Sequence, residues 1–531
     1  MNHRWRTVVL TLAGLVLLAV LLTTGWIYKG RWDVNRYKRQ LMARGEKLTT
    51  RELEPASLPG AVGNAKDLLA GWTFQNGPLL RKLALIPAMD TRSLVNRSLV
   101  SKGKAIVVSK RPRIETFDGD YSWENLAAEI RTNSTVLDET RARLHSAQRF
   151  DFSLNYQDVT KLQLGHLGQL KSMTQRFSSA AMVALHEGKL QEADNNLTSA
   201  VEVAAVLENE PLIISQLVRV AIVALALPAT WEALQWNGWT DGQLRDLQFA
   251  WEKINFAGPL RQAFEMDRAM GLNLFEDVRK SKPVANEFFN FQPVSFPPLS
   301  GEALSDWPSA LFETAKTGAD FAANSLREQI WKWIWSWPDE RLYIQRLNWF
   351  IEATRETSRT RDYREGLGRF AALANGPAAQ KKFVVSSHLL PGLLLFPKFA
   401  RVEAERSLVI AAVALKRYEL RNARLPASLD ELVPQFLSRI PTDPYAGRPV
   451  CYRHESSNNN FMLYCIGEDQ LDQLGDPTPP TRAIVTFADG LDIVWPHEAT
   501  EPEIQPFPPR KKTDPPRGYM DPALKKRYGL P

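Results

Sequence analysis

The fold is decided by the stretch from Glu403 to Trp495. It opens EAERSLVIAAVALKRYELRNARLP (403–426), where Leu408, Ala411, Ala412, Leu415 and Tyr418 recur at spacings of three and four and so line one face of an α-helix. IPTDPYAG (440–447) follows, with two prolines and a glycine in eight residues, and reads as consecutive turns. PVCYR (449–453) and FMLYCI (461–466) are strand-like runs divided by a polar segment, and DIVW (492–495) closes the stretch. These patterns predict a long helix packed on a small antiparallel sheet. Leu408, Ala412 and Leu415 would face Val450, Tyr452, Phe461 and Leu463. Asp443, in the middle of the turns, is expected to accept backbone hydrogen bonds, a structural role.

The order of these segments resembles the globular head of the major pseudopilins of type II secretion. The residues that carry the likeness are the helix end at Arg424-Leu425-Pro426, the turn Ile440-Pro441-Thr442-Asp443-Pro444-Tyr445-Ala446-Gly447, the hairpin end at Leu463-Tyr464 with Gly467 and Asp469, and the closing Asp492-Ile493-Val494-Trp495. The resemblance implies an α+β head, residues 401–497, working outside the inner membrane of a bacterial envelope. It also implies a calcium ion on the loop after the hairpin, with Asp469, Asp472 and Asp492 as ligands by position. Calcium takes six to eight oxygens at short range, which clustered carboxylates can supply. Gln470 stands where that family has glycine, Leu474 interrupts its Gly-Gly step, and Pro477, Pro479 and Pro480 lengthen the loop. On the residues alone, the same acids read as solvated loop positions. The methylation signal of a true pilus subunit, a phenylalanine behind a glycine with a glutamate four residues on, does not precede Thr7. As a whole the chain resembles large membrane proteins of planctomycete and verrucomicrobial type, which join a signal-anchor and a Gly-Glu-Pro-Leu-like step, here Gly45-Glu46-Lys47-Leu48, to helices and such a head.

Upstream of this head the chain reads as mainly α. At 531 residues it exceeds one ordinary core. Residues 64–400 are expected to form an α-helical domain, interrupted by a Pro- and Phe-rich insertion near 281–308. Phe177–His186, Gly188 and Leu190–Leu207 predict a helical hairpin with a tetratricopeptide-like look, but no second copy follows at the period such repeats need. Leu212–Leu227 is strongly apolar, yet it is short for a span and carries Gln216 and Arg219. It is expected to be a buried core helix. Trp331, Trp333, Trp335 and Trp337 fall within seven residues. Helical spacing pairs Trp331 with Trp335 and Trp333 with Trp337 on two faces, for packing into the core or for a membrane surface. Residues 498–531, with eight Pro and seven Lys or Arg, are expected to be a disordered or draped tail.

Thr7 to Tyr28 holds no charged residue, long enough to cross a hydrocarbon core of about 30 Å, and Trp26 and Tyr28 suit the interface at its end. The expectation is a single-pass transmembrane anchor within residues 1–28, followed by a juxtamembrane helix and linker over 29–63. Orientation is divided. Lys29, Arg31, Arg36, Lys38 and Arg39 outweigh Arg4 and Arg6 and favour a cytoplasmic domain, whereas the pseudopilin resemblance places the domain outside. The reading adopted is the inner membrane with the large domain extracytoplasmic.

Composition excludes several functions. The net charge of +7 is spread along the chain, so no nucleic-acid partner is expected. Two cysteines, Cys451 and Cys465, are too few for a zinc site. They lie on the two strands of one hairpin and could be bridged in an oxidising compartment, or Cys465 could be a plain core residue. No His-Glu-x-x-His, phosphate-cradling glycine loop or Gly-x-Ser-x-Gly elbow occurs. No catalytic or cofactor-binding residue is expected. The chain reads as a non-enzymatic envelope scaffold or docking module, with the membrane and envelope or secretion components as partners. The alternative is a hydrolase with its site in a groove of the helical domain.

Overall fold

The computed structural model describes residues 3–55, 62–83, 98–100, 103–116, 119–146, 149–152, 154–157, 162–280, 328–374, 385–386, 396–455, 460–476 and 492–506. Helices dominate, with small sheets, mostly antiparallel. Helix α1 (His3–Ala43) is one unbroken rod. Short helices α2 (Thr50–Leu53), α3 (Ala65–Ala70) and α4 (Pro78–Lys82) lead to α5 (Trp123–Thr132) and α6 (Ser134–Ser146). The bundle proper is α7 (Gly165–His186), α8 (Leu190–Val206), α9 (Ile213–Leu234), α10 (Asp241–Lys253), α11 (Ala257–Lys280), α12 (Ser336–Thr360) and α13 (Arg364–Ala374). Helix α14 (Phe396–Asn422) ends the helical run.

The α7–α8 hairpin follows from local chemistry. Gly188 sits at φ +71°, a conformation that costs glycine nothing. Lys189 N–H donates to Ala184 O at 2.8 Å and Gly188 N–H to Leu185 O at 2.9 Å, which closes α7 and satisfies carbonyls that a helix end leaves orphaned. At the start of α10, Thr240 and Gln243 cap each other reciprocally. Helix α9 lies at the centre, packed against α7, α8, α11 and α14, and 67% of its most apolar window is buried. Helix α11 lies along α12, and α10 bridges α8 and α14.

The C-terminal part has the expected long helix and antiparallel sheet. Strand β10 (Asn460–Ile466) pairs with β9 (Cys451–Glu455) on one side and with β11 (Asp492–Val494) on the other. Leu408, Ala412, Leu415, Val450 and Leu463 are buried, and α14 packs against β10. Helix α14 begins at Phe396, with Pro397 in its first turn, where a missing N–H is harmless. It belongs to both parts of the molecule, because α9, α10 and the sheet cover different sides of it. Arg417 reaches Asp241 at 2.8 Å and Gln248 at 3.0 Å, and Arg406 donates to Trp251 O at 3.2 Å. Asp443 fills its expected role. It is fully buried and accepts from the N–H groups of Tyr445, Ala446 and Ile466.

Four expectations are sharpened or corrected. First, residues 64–280 are mainly helical as expected but also carry short strands. Strand β1 (Val62–Asn64) pairs in parallel with β6 (Arg149–Asp151), and β4 (Ile114–Thr116) forms a hairpin with β5 (Gly119–Tyr121). Such short strands lack the length to show a period in sequence. Second, the start of the tail is paired. β12 (His497–Glu498) runs beside β3 (Lys104–Ala105), and β13 (Ile504–Pro506) pairs with β2 (Ser98–Val100). Thr500 and Glu503 form a capping box between them, a signal that proline content overshadowed. Third, the alternative left open for the cysteines is decided: Cys451 and Cys465 are free thiols, and Cys465 is a buried core residue. Cys451 lies opposite Tyr464, so the one-residue offset turns Cys465 to the other face of the sheet, against Ala404 O at 3.9 Å. Fourth, a π turn over Trp331–Trp335 breaks the expected i, i+4 pairing of the tryptophans. Trp331 is buried, Trp335 and Trp337 are half-buried against the core, and Trp333 alone is exposed. The Pro- and Phe-rich segment 281–308 and residues 507–531 lie outside the described residues.

Candidate functional site

One face of the bundle is built around the two halves of α1. Over residues 10–25 the described side chains are exposed, and none of the helix's apolar window is buried. From Trp26 onward the same helix is packed on the π turn and α12. Trp26 Nε1 donates to Ile334 O at 3.0 Å, and its ring meets Trp335 edge-on with centroids 6.2 Å apart. Gly30 lies against Trp337 and Pro338. Trp337 is covered by two guanidinium groups, Arg279 at 3.8 Å and Arg31 at 5.8 Å from its ring centroid, a favourable use of an aromatic face.

Further along, the contacts are ionic. Arg341 meets Asp33 at 3.5 Å, and Asn348 donates to Tyr37 at 3.0 Å. Glu340 is fully buried and bridges Lys38 of α1 and Arg279 of α11. The partners advance together along both chains, so α1 and α12 run side by side in parallel. Helix α1 ends at Gly45, φ +81°, with Glu46 N–H on Leu41 O at 3.1 Å and Gly45 N–H on Met42 O at 2.9 Å. That turn delivers Glu46 between α11 and α12, where Arg268 at 2.9 Å and Arg355 grip its carboxylate. Burial pushes this carboxyl up, but the hydrogen bonds from Arg355 and Arg268 outweigh it and hold the group below its ordinary range. The Gly45-Glu46 step singled out in the sequence is therefore the clasp between α1 and the bundle. Its partners lie more than 200 residues away, and no local signal could have named them.

The acidic loop is closed on itself. Asp469 accepts from Leu471 N–H at 3.1 Å and Gln473 Nε2 at 2.7 Å. Asp472 accepts from Leu474 N–H, Tyr464 Oη and Arg448. Asp492 accepts from the N–H groups of Gln473, Gly475 and Asp476. All six carboxylate oxygens thus face donors, and Gln470 and Leu474 adopt φ +58° and +59° to make the turns. A calcium ion would have to displace those bonds. Among the described residues no three Asp, Glu, His or Cys side chains converge as a metal site. The present arrangement does not fit calcium.

Two buried clusters contain serine, histidine and glutamate, and neither is ordered for nucleophilic catalysis. Glu210 stands between Ser215, which donates to it, and His166 Nε2 at 3.0 Å, so the imidazole does not face the hydroxyl. Ser109 Oγ donates to Glu232 at 2.7 Å, while His186 Nδ1 lies 2.9 Å from the Ser109 carbonyl. A triad needs the base on the hydroxyl and the acid behind the base. Glu232 also accepts from Val108 N–H and Ser109 N–H, and burial pushes it up to about 7. Both clusters pin loops to the bundle. An open cleft lined by Thr49, Thr50, Arg51, Gln157, Asn273, Glu276 and Asp277 lies beside the clasp. It brings no nucleophile and base into hydrogen-bond reach.

No family model matches the chain, and no curated protein or solved structure is similar to it.

Proposed function

We propose that this protein is a single-pass, membrane-anchored scaffold of the cell envelope, with a large extracytoplasmic helical domain that carries a pseudopilin-like α+β head as a docking module for envelope or secretion components. The observation that carries the reading is the division of α1. An exposed, largely apolar stretch over residues 10–25 continues without a break into a half that is tied to the bundle by Trp26, Asp33, Lys38 and the Glu46 clasp. Each leucine or valine left in water forfeits roughly 1.5–3 kcal/mol of transfer free energy, which a bilayer supplies. A rigid junction of this kind fixes the domain against the membrane and suits a scaffold. The absence of an acid–base–nucleophile arrangement in either polar cluster among the described residues leaves the hydrolase alternative without a supporting observation.

The test has two arms. Carbonate washing of membranes should leave the full-length protein in the pellet, and its release would overturn the anchor. A phosphatase reporter active only after export, fused after Pro531, should be active. An active cytoplasmic reporter at the same position would place the domain inside and remove the envelope role.

A further inference from the structure

We infer that the Trp331–Trp335 π turn is a second membrane contact: Ile330 and Trp333 insert into the bilayer interface beside the point where α1 emerges. The inference rests on the anchored reading above and adds a lipid-facing site that a single-pass anchor does not require.

Trp26 is bonded to the backbone of Ile334 and meets Trp335 edge-on, Gly30 meets Trp337, Asp33 meets Arg341, and Tyr37 meets Asn348. Because the partners advance together, residues that precede Trp335 lie beside residues that precede Trp26. Those are the last turns of the exposed apolar span. Ile330 precedes Trp335 by five residues, which carries it roughly 5–8 Å along α1 toward the span. Helices at a bilayer surface bury their apolar face to about that depth.

The side chains fit the position. The π turn sends Trp331 inward onto Phe275 and leaves Trp333, 64% exposed, and Ile330, 43% exposed, pointing away from the bundle. Trp26 and Tyr28, on α1, are exposed at the same level. Tryptophan and tyrosine gather where a ring can sit among headgroups with its polar edge wet. The charges nearby are neutralised or face outward. Lys332 pairs with the buried Glu328 at 2.7 Å, and Lys29 and Arg31 are exposed one turn further from the span, where anionic headgroups would meet them. The exposed pair is continuous with the apolar surface of α1, so the occupant is the bilayer that holds α1.

The experiment uses full-length protein reconstituted in mixed vesicles of phosphatidylcholine and phosphatidylglycerol that contain a phospholipid with a photoreactive group near its headgroup. After illumination, labelled peptides are mapped by mass spectrometry. Labels on residues 328–335 as well as on α1 support the inference. Labels on α1 alone overturn it and leave the anchor standing. No labels on α1 overturn the anchored reading, and the inference with it. Ile330→Glu with Trp333→Glu, both at exposed positions, should leave labelling of α1 unchanged and cut labelling of 328–335 at least about fivefold. An unchanged melting midpoint checks that this variant folds. Should residues 328–335 stay unlabelled while light scattering reports a dimer in detergent, the face belongs to a second copy of the chain and the inference fails.

Discussion

Helices α1 and α9 look alike to any hydropathy scale, and they live in different surroundings. Both contain a window apolar enough to cross a membrane. None of that window is buried in α1, whereas 67% is buried in α9. The difference lies in what interrupts the apolar run. Helix α9 carries Gln216, Arg219, Thr230 and Glu232, and each has partners inside the fold. Gln216 donates to Leu207 O and Glu210 O, Arg219 to Ala204 O, Gln216 Oε1 and Asn255 O, and Thr230 to Ala226 O. Glu232 takes three donors from Val108 and Ser109. In α1 the charged residues stand outside the run, Arg4 and Arg6 before it and Lys29 and those that follow after it. A polar group inside an apolar helix is costly unless the tertiary structure answers it, so such groups mark a core helix and their absence marks a span.

The strongest way to break the comparison is Arg219→Ala. Burial pushes this guanidinium down to about 10, so it stays charged at neutral pH, and its removal strands three carbonyl acceptors in the core. A loss of about 3–5 kcal/mol is expected in denaturant unfolding. A loss under about 1 kcal/mol would mean that the polar residues of α9 do not distinguish it from α1.

Glu232 offers a pH test of the same helix. Its folded value, raised by burial to about 7 from 4.5, means that the folded state holds the proton more tightly than the unfolded state. Stability is therefore highest at low pH, falls as pH rises through the folded value, and levels off above it. The drop between pH 5 and pH 8 should be roughly 2–3 kcal/mol from this group. Asp194, also raised to about 7, and Asp339 and Asp443, raised to about 6, are buried and slope the same way. Chemical unfolding in Glu232→Gln should show a shallower slope than in the parent, and an identical slope would remove Glu232 from the account. The apolar half of α1 has no titratable group and adds nothing to this profile.

Gly271→Ala probes the packing that receives the other half of α1. An added methyl would collide with the Tyr343 ring where α11 and α12 cross, and Tyr343 is held there by its hydrogen bond to Asp267 O at 2.7 Å. Destabilisation of about 1–3 kcal/mol is expected by calorimetry. An unchanged midpoint would show that the crossing can open. The smallest effect sharpens the comparison from the side of α1. Leu17→Ala trims an exposed side chain, so unfolding of the domain should change by less than about 0.5 kcal/mol. A larger loss would mean that the exposed half packs on the domain and is no span.

Much of this was legible in the sequence. An apolar run marked α9 and apolar periodicity marked α14, Gly188 marked a helix turn, and the turn at 440–447 placed Asp443 on backbone N–H groups. The acidic loop was legible as a turn-rich segment, but not the direction of its carboxylates. Asp469, Asp472 and Asp492 point to N–H and side-chain donors that lie up to 24 residues away. The tryptophans were legible as a cluster and misread in phase, because a π turn is set by the packing of Trp331 and leaves no mark in spacing. The clasp was invisible for the same reason as the short strands. Glu46 is one charged residue among many until the fold brings Arg268 and Arg355 to it.

The sequence by itself determined that most of the chain is helical and that Thr7–Tyr28 has no charge to answer, since these follow from interactions among residues a few positions apart. Tertiary structure alone decided which apolar helix is enclosed and which is bare, which face each cysteine and tryptophan takes, and which charges meet in the interior. Those outcomes depend on contacts between residues hundreds of positions apart. Their free energy appears only when the chain has closed around them.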